Sequence, residues 1–364
     1  MSSDRLTEIA TKVLSTTPTR RDLLKATACV LLTAPVATWS SRRALAADLD
    51  AVIGPWGDPA TLVTAIGAGT LAAASVAETV EAYRKGFGYV EHYRGHVPRE
   101  MAEFWGVPAM AGRAVSVMGP PGYQRGLIRI VELGKDFQEV SYPDTLGWIA
   151  LEILVRSPDD LVNELKGLPF VHTGGPNTAN DQEGKPLYRA AQFKGPSGEP
   201  LFMTRHMQLE PLMAGSRNNV GPLFIQTFST TSYQDALNFY LKELKLKMRI
   251  EWQSPRTDLV KALGLKGDAR YKSAAVRTPD YCALQIDEYP KEAPQRPAVP
   301  GCFAPGVSMC TLTTRNLDAV KAALQTAGIA FKEIEANTCP PFPHARAVSF
   351  VGKGGERVEI VETR

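Results

Sequence analysis

The sequence predicts an α+β fold assembled from four βαβββ modules, and three observations carry that expectation. A strand-turn-strand pattern recurs four times: RAVSVMGPPGYQRGLIRIVEL from Arg113, RAAQFKGPSGEPLFMTR from Arg189, KSAAVRTPDYCALQIDEY from Lys272 and RAVSFVGKGGERVEIVETR from Arg346. Each copy opens on a basic residue, alternates small and apolar side chains, turns on Gly or Pro and continues into a second apolar strand, which is the pattern of a β-hairpin. The openings are spaced by 76, 83 and 74 residues, the period of a repeat architecture. A strand, an amphipathic helical stretch and a further strand precede each hairpin.

The chain begins with a segment to set aside before any fold reasoning. Thr19-Arg20-Arg21-Asp22-Leu23-Leu24-Lys25 precedes a short apolar run, ATACVLLTAPVATW, and Ala44-Leu45-Ala46 then gives a small-x-small cleavage pattern. The run is too short to span a bilayer as a lasting helix. Residues 1–46 resemble a twin-arginine export signal, which implies a protein that works in the periplasm with no stable membrane anchor after processing. This segment holds seven Lys/Arg and three Asp/Glu, so its removal takes the net charge from +3 to about −1. A near-neutral protein has no electrostatic footprint for nucleic acid or anionic lipid. The whole chain, 44% hydrophobic and 22% charged over 364 residues, has an ordinary globular composition and ample length for two domains with real cores.

Residues 47–67 read as a linker. The first module begins near Thr70, its helix carrying Val76, Val80 and Tyr83 at helical spacing and closing at Gly86 and Gly88. The second opens with WIALEILVRSPDDLVNELKGLPF, where Ser157-Pro158-Asp159 starts a helix and Gly167 stops it. The third, LFIQTFSTTSYQDALNFYLKELKLKMRIEW, has Ser232 as N-cap. The fourth, GVSMCTLTTRNLDAVKAALQTAGIAFKEIE, is capped near Asn316 and ends at Gly328. Pro and Gly concentrate in linkers at 135–145, 209–220 and 290–304, and the middle one is expected to separate two halves. Four cysteines remain after the signal, Cys282, Cys302, Cys310 and Cys339. In an oxidising compartment an even number permits disulfides, and Cys302 and Cys339, both in Pro-rich loops, are the expected pair.

These strand-helix-strand openings, YQDALNFYLKELKLK and GVSMCTLTTRNLDAVKAALQTAGI among them, together with the ending GKGGERVEIVE, resemble the vicinal oxygen chelate superfamily. That superfamily includes glyoxalase I, extradiol dioxygenases and the bleomycin and fosfomycin resistance proteins. The resemblance covers nearly all of residues 70–364. It implies that two modules close into one cup-shaped mixed sheet around a cavity, so four modules make two glyoxalase-like cups. The expected domains are 47–210 and 218–364.

The resemblance also implies where a divalent metal would sit: on the last strands and first strands of the modules. The last-strand position falls on Glu359, Gln285, Phe202 and Arg129 in the four modules, and the first-strand position falls near Ala68, Ala150, Ile225 and Met309. No histidine stands at any of these, so a divalent metal is possible but not supported, and no metal ligand is assigned. Glu359 is expected inside a cup as an acid/base group, with an ion pair to Arg346 as the alternative. His344 and Arg346, two residues apart in extended chain, form a candidate anion-binding pair. Gln285, Trp252, Tyr93 and His92 are candidate cavity walls for an aromatic substrate, and Trp105 reads as a structural plug.

Three functions stay open on this reading. One is an exported lyase, isomerase or oxygenase acting on a small aromatic or hydroxylated compound without the usual His-ligated metal. Another is a non-catalytic small-molecule binder. The third is a metal enzyme with unusual ligands such as Gln285, Glu359 and His344. In each case the partner is a small molecule, and the chain is a monomer or homodimer.

Overall fold

A computed structural model of the chain describes residues 60–134, 145–180, 184–213, 216, 218–255, 257–264 and 269–363. The expected export signal, residues 1–46, lies outside the described residues. Residues Pro55–Arg364 form one compact unit.

Each module runs strand, helix, strand, hairpin. The first is β1 (Ala65–Ala73), α1 (Val76–Phe87), β2 (Val90–His96), a short α2 (Arg99–Phe104), β3 (Ala114–Gly119) and β4 (Leu127–Glu132). The second is β5 (Gly147–Val155), α3 (Pro158–Glu164), β6 (Val171–Asn180), β7 (Pro186–Lys194) and β8 (Pro200–His206). The third is β9 (Val220–Thr230), α4 (Tyr233–Asn238, extended by a π-turn), β10 (Lys247–Ser254), α5 (Thr257–Ala262), β11 (Tyr271–Arg277) and β12 (Ala283–Glu288). The fourth is β13 (Gly306–Thr314), α6 (Leu317–Thr326), β14 (Phe331–Ile334), β15 (Ala347–Val351) and β16 (Arg357–Glu362). The expected linker at 47–67 gives way earlier than read, because β1 already starts at Ala65.

Local chemistry starts the helices, as expected at Ser157 and Asn316 and also at Ser75, which the sequence reading did not single out. The side chains of Ser75, Ser157 and Asn316 each accept the backbone N–H three residues on, removing one orphan donor per helix. Ser232 stands at the N-cap of α4 but makes no such bond; the hydroxyl of Thr230 accepts from the Ser232 N–H instead. Helix α1 ends at Gly88, which takes the left-handed conformation that a side chain would resist.

Among the described residues, sixteen strands form two eight-stranded mixed sheets, ordered β14-β15-β16-β13-β1-β4-β3-β2 and β10-β11-β12-β9-β5-β8-β7-β6. Modules one and four thus share one sheet, joined by antiparallel β1 and β13, and modules two and three share the other, joined by β5 and β9. This corrects the expected pairing of sequence neighbours into halves 47–210 and 218–364. The 209–220 linker joins two modules of one sheet, and the first module waits for the last before its sheet is complete. The two sheets pack back to back. Gly69 of β1 leaves room for Leu151 and Leu223 of the second sheet, and Gln226 donates across the junction to the carbonyl of Met309. The main core lies here, with α1, α4 and α6 contributing Tyr83, Tyr240 and Leu324.

Two of the four repeated hairpins tie sequence neighbours together across this junction. In Gly195-Pro196-Ser197-Gly198-Glu199 and Gly352-Lys353-Gly354-Gly355-Glu356 the glutamate is fully buried. Tyr83 of module one donates to Glu199 of module two at 2.6 Å, and Tyr240 of module three donates to Glu356 of module four at 2.8 Å. A side chain on Gly195 or Gly352 would occupy the space of the carboxylate itself, and Gly198 and Gly355 have positive φ, so both glycines of the G-x-x-G-E turn are required. The basic residues that open the hairpins do a related job. Arg189 pairs with Asp159 at the start of α3, and Arg346 with Asp318 at the start of α6.

Candidate functional site

The register of the sheets fixes which residues share each inner face, since directly paired residues point the same way. In parallel pairs the last-strand positions stand opposite first-strand residues as follows: Arg129 opposite Thr70, Phe202 opposite Glu152, Gln285 opposite Thr227, and Glu359 opposite Thr311. All four first-strand residues lie five residues before the N-cap of their helix, at Ser75, Ser157, Ser232 and Asn316. The sequence reading placed them two residues too early, at Ala68, Ala150, Ile225 and Met309. Each sheet therefore has a central quartet, Thr70, Arg129, Thr311 and Glu359 in the first and Glu152, Phe202, Thr227 and Gln285 in the second.

The first quartet is sealed. All four residues are fully buried, and Glu359 takes donors from Arg129 at 2.8 Å, Thr311 at 2.6 Å, Trp105 Nε1 at 2.9 Å and Asn337 at 3.3 Å. The guanidinium of Arg129 lies 4.8 Å from the Trp105 ring centroid and also donates to the Pro340 carbonyl. Burial works against the charge on Arg129, but Glu359 beside it outweighs that cost and holds the guanidinium protonated. Met101, Trp105, Met110, Phe303 and Cys339 fill the rest of the cup. The plug role expected of Trp105 holds, with the addition that its indole caps Glu359. Glu359 is in a cup, as read, but its ion pair is with Arg129 rather than Arg346, and it has no access to a substrate.

The remaining expected catalytic residues do not join it. His344 is exposed in the loop before β15, and Arg346 faces the outer side, held by Asp318, Glu333, Glu335 and Glu362. Tyr93 shares the inner face of the first sheet but packs at its edge on Val117, and His92 is exposed beside it. Gln285 and Trp252 both lie on the inner face of the second sheet: Trp252 pairs with Ser273, which pairs with Asp287 two residues from Gln285. A metal set of Gln285, Glu359 and His344 is therefore not assembled. The expected Cys302–Cys339 bond is not formed either. Both sit as free thiols around Trp105, and burial pushes the Cys339 thiol up to about 11.

Among the described residues the second cup is chemically richer and less completely buried. Glu152, Phe202, Gln285, Arg249 and Arg277 all keep partial solvent contact. Arg249 lies at a bulge in β10 between Met248 and Ile250, and its guanidinium donates to His206 Nε2 on β8. Those strands are five places apart in the sheet, about 24 Å if it were flat, so the contact requires the sheet to curl into a cup. Because an arginine cannot accept, Nε2 of His206 carries the lone pair and Nδ1 the proton. Burial, reinforced by the charge of Arg249, drives the His206 pKa down to about 3, so the ring is neutral. Burial pushes the Glu152 carboxyl above the usual range, opposed by the Thr204 hydroxyl and by Arg249. Tyr188, paired with His206 across the strands, has its hydroxyl raised by burial and by Glu152. Glu152, Phe202, Thr204, His206 and Arg249 thus form one patch.

No divalent metal fits either quartet on donor chemistry. The first presents a guanidinium, which has no lone pair to give, and the second offers one carboxylate and one amide beside a phenyl ring. Among the described residues, no three His, Cys, Asp or Glu side chains gather closely enough to hold a metal. The sequence reading missed Glu152, His206, Arg249 and Arg277 because their meeting depends on curvature. Counting five residues back from each N-cap would have found Glu152.

The architecture can be compared with known structures. Over 83% of this chain and 86% of its own length, a proposed dioxygenase from Bacillus subtilis superposes with a TM-score of 0.55 at 13% identity. Glyoxalase I from Zea mays superposes with a TM-score of 0.51 at 14% identity, over 82% of this chain and 92% of its own. The fold is glyoxalase-like. At this identity the likeness extends to the fold alone. No family model matches the sequence, and no curated protein matches it.

Proposed function

We propose that the second cup is the working site of a small-molecule enzyme that moves protons with Glu152, in the manner of an isomerase or lyase. The observation that carries this reading is Glu152 itself: a carboxyl at the centre of the inner face that keeps partial solvent contact, its proton affinity raised by burial. Such a group can act as a general base or acid. Its neighbours suit a substrate that becomes an oxyanion. Arg249 supplies a positive charge beside Glu152, and the Phe202 ring opposite Glu152 offers an apolar wall for an aromatic body. In the step so arranged, Glu152 takes a proton from a C–H next to a carbonyl, the C–H electron pair moves into an enolate, and the proton returns to the same or a neighbouring carbon. The N-terminal segment supports export of this enzyme to the periplasm, where burial shields the thiols of Cys282, Cys310 and Cys339 from oxidation.

The test uses the full chain expressed with its own leader in a bacterium that has the twin-arginine pathway. The protein recovered from the periplasm should begin at Ala47. In heavy water it should exchange the acidic C–H of phenylpyruvate faster than the uncatalysed rate, and Glu152→Gln should lose at least 100-fold of that enhancement. Equal exchange by Glu152→Gln would remove Glu152 from the mechanism. Binding of the probe with no exchange by either protein would make the chain a binder instead.

A further inference from the structure

Proton removal by Glu152 needs a second group, one that meets the oxygen on which the charge gathers. An enolate formed beside a base is stabilised by a hydrogen-bond donor fixed at that oxygen, and inside a cup such a donor is worth more than water. Arg249 supplies charge, but its guanidinium is engaged by His206 and feels the charge of Glu152. Thr204 is buried, and its hydroxyl acts on Glu152 itself. The directional donor must come from elsewhere on the inner face.

Tyr188 is set apart from five other tyrosines of the molecule. Tyr83, Tyr89, Tyr123, Tyr233 and Tyr240 each donate to an acceptor in the protein. No described residue accepts from Tyr188, which is 38% exposed. It stands on β7 four residues before Gln192, the partner of Phe202, so its side chain shares the inner face with Phe202 and Glu152. Across the strands it pairs with His206 on one side and with the small Ala179 on the other, and Ala190 follows it on the same face. The small neighbours leave the phenol uncovered. His206 brings Arg249 beside it, and the charges of both Glu152 and Arg249 reach its hydroxyl. Burial and then Glu152 raise the proton affinity of that hydroxyl, with Arg249 opposing, so the phenol keeps its proton and is a donor.

We propose that Tyr188 is the catalytic donor of the second cup, holding the substrate's carbonyl oxygen while Glu152 removes the neighbouring proton. As the C–H bond breaks, its electron pair forms the enolate and the proton passes to the Glu152 carboxylate. The negative charge gathers on the oxygen, and the Tyr188 O–H tightens its hydrogen bond there without giving up its proton. The proton on Glu152 then returns to carbon, and the enolate collapses to the carbonyl. This assignment rests on the second cup being a proton-transfer site and deepens that reading by naming its second catalytic group.

The experiment compares the mature protein with Tyr188→Phe in two assays: heavy-water exchange of phenylpyruvate, and calorimetric titration with 4-nitrophenolate, whose oxygen carries charge as an enolate's does. Tyr188→Phe keeps the ring and removes a hydroxyl that bonds nothing in the protein, so its urea midpoint should match the parent's. Its exchange rate at saturating phenylpyruvate should fall about 100-fold, while the concentration giving half the maximal rate changes by no more than about threefold. The parent should bind 4-nitrophenolate at least about tenfold more tightly than the uncharged 4-nitroanisole. Tyr188→Phe should erase most of that preference, and Glu152→Gln should not lower it. Glu152-dependent exchange that Tyr188→Phe leaves within about twofold of the parent overturns the donor role alone. A lower urea midpoint in Tyr188→Phe with exchange and phenolate preference unchanged makes the hydroxyl structural and also overturns it. No exchange by any form, with a phenolate preference that depends on Tyr188, sinks the proton-transfer reading and keeps Tyr188 as the donor to a bound oxyanion. A parent that neither exchanges phenylpyruvate nor prefers the phenolate overturns both.

Discussion

At the centre of the first cup Glu359 meets four donors, one of them an arginine, in a space closed to water, while at the centre of the second Glu152 keeps solvent contact beside an arginine that a neutral histidine holds. The two sheets share a topology and place a carboxylate on the inner face, and so differ in what surrounds it. The connection between β2 and β3 in module one carries Met101, Trp105 and Met110 into the first cup, with Phe303 and Cys339 from module four. On the inner face of the second sheet the described residues include Arg249, Arg277, His206, Gln285 and Trp252, most of them polar. A carboxylate whose lone pairs are all satisfied is a structural element, whereas one that keeps some solvent contact and has a raised proton affinity is free to exchange protons.

The largest expected effect tests the sealed half of this contrast. Arg129→Ala or Glu359→Ala leaves a charge buried without its partner and should cost about 3–5 kcal/mol in urea unfolding. The double replacement Arg129→Met with Glu359→Leu removes both charges and should recover most of that loss. Single variants within about 1 kcal/mol of the parent would show that water reaches the first cup, and the contrast with the second would collapse.

A smaller effect comes from the junction between the sheets. Burial raises the Glu356 carboxyl to about 7 from an unfolded value of 4.5. The folded chain therefore binds this proton more tightly than the unfolded one. Both states are protonated below about 4.5, so this group makes no difference there. As pH climbs from 4.5 to 7 the folded state loses relative stability, by up to about 3 kcal/mol, and the loss is complete above 7. Glu356→Gln keeps an acceptor for Tyr240 and should flatten this part of the stability profile. A parent profile that rises between pH 5 and 7 and is unchanged in Glu356→Gln would mean that the hairpin carboxyl stays ionised.

Much of the scaffold was legible in the sequence because it is written locally. The four hairpins, their Gly turns and the helix caps at Ser157 and Asn316 depend on residues a few positions apart, and the strand and helix periods follow from them. Module pairing was not legible, because β1 pairs with β13 across more than two hundred residues and nothing in either strand names its partner. The candidate site was half legible for the same reason. The last-strand positions, Arg129, Phe202, Gln285 and Glu359, follow from counting along one hairpin. His206 and Arg249 meet only because the sheet curls, and the sequence of β10 alone gives no sign of it. His344 and Arg346 misled because two residues of spacing put them on one face of an extended chain, whereas His344 lies in a left-handed turn that ends that regularity.

The finest test of the comparison is to make the same substitution in both cups. Glutamate and leucine have similar volumes, so Glu152→Leu and Glu359→Leu change charge more than packing. In the first cup the change strands Arg129 with no anion and leaves Trp105 and Thr311 without their acceptor, so stability should fall by several kcal/mol. In the second, the carboxyl already resists ionisation, and Arg249 keeps both His206 and solvent after its removal. Trading a poorly solvated carboxyl for an apolar side chain there should leave stability unchanged or raise it by up to about 1 kcal/mol. The same variant should lose proton exchange altogether, since leucine cannot carry a proton. Working residues are held at a cost to the fold, so opposite signs of stability and activity at Glu152 are what a site predicts. A loss of stability above about 1 kcal/mol in Glu152→Leu would make Glu152 a second Glu359, and the two cups would differ in shape alone.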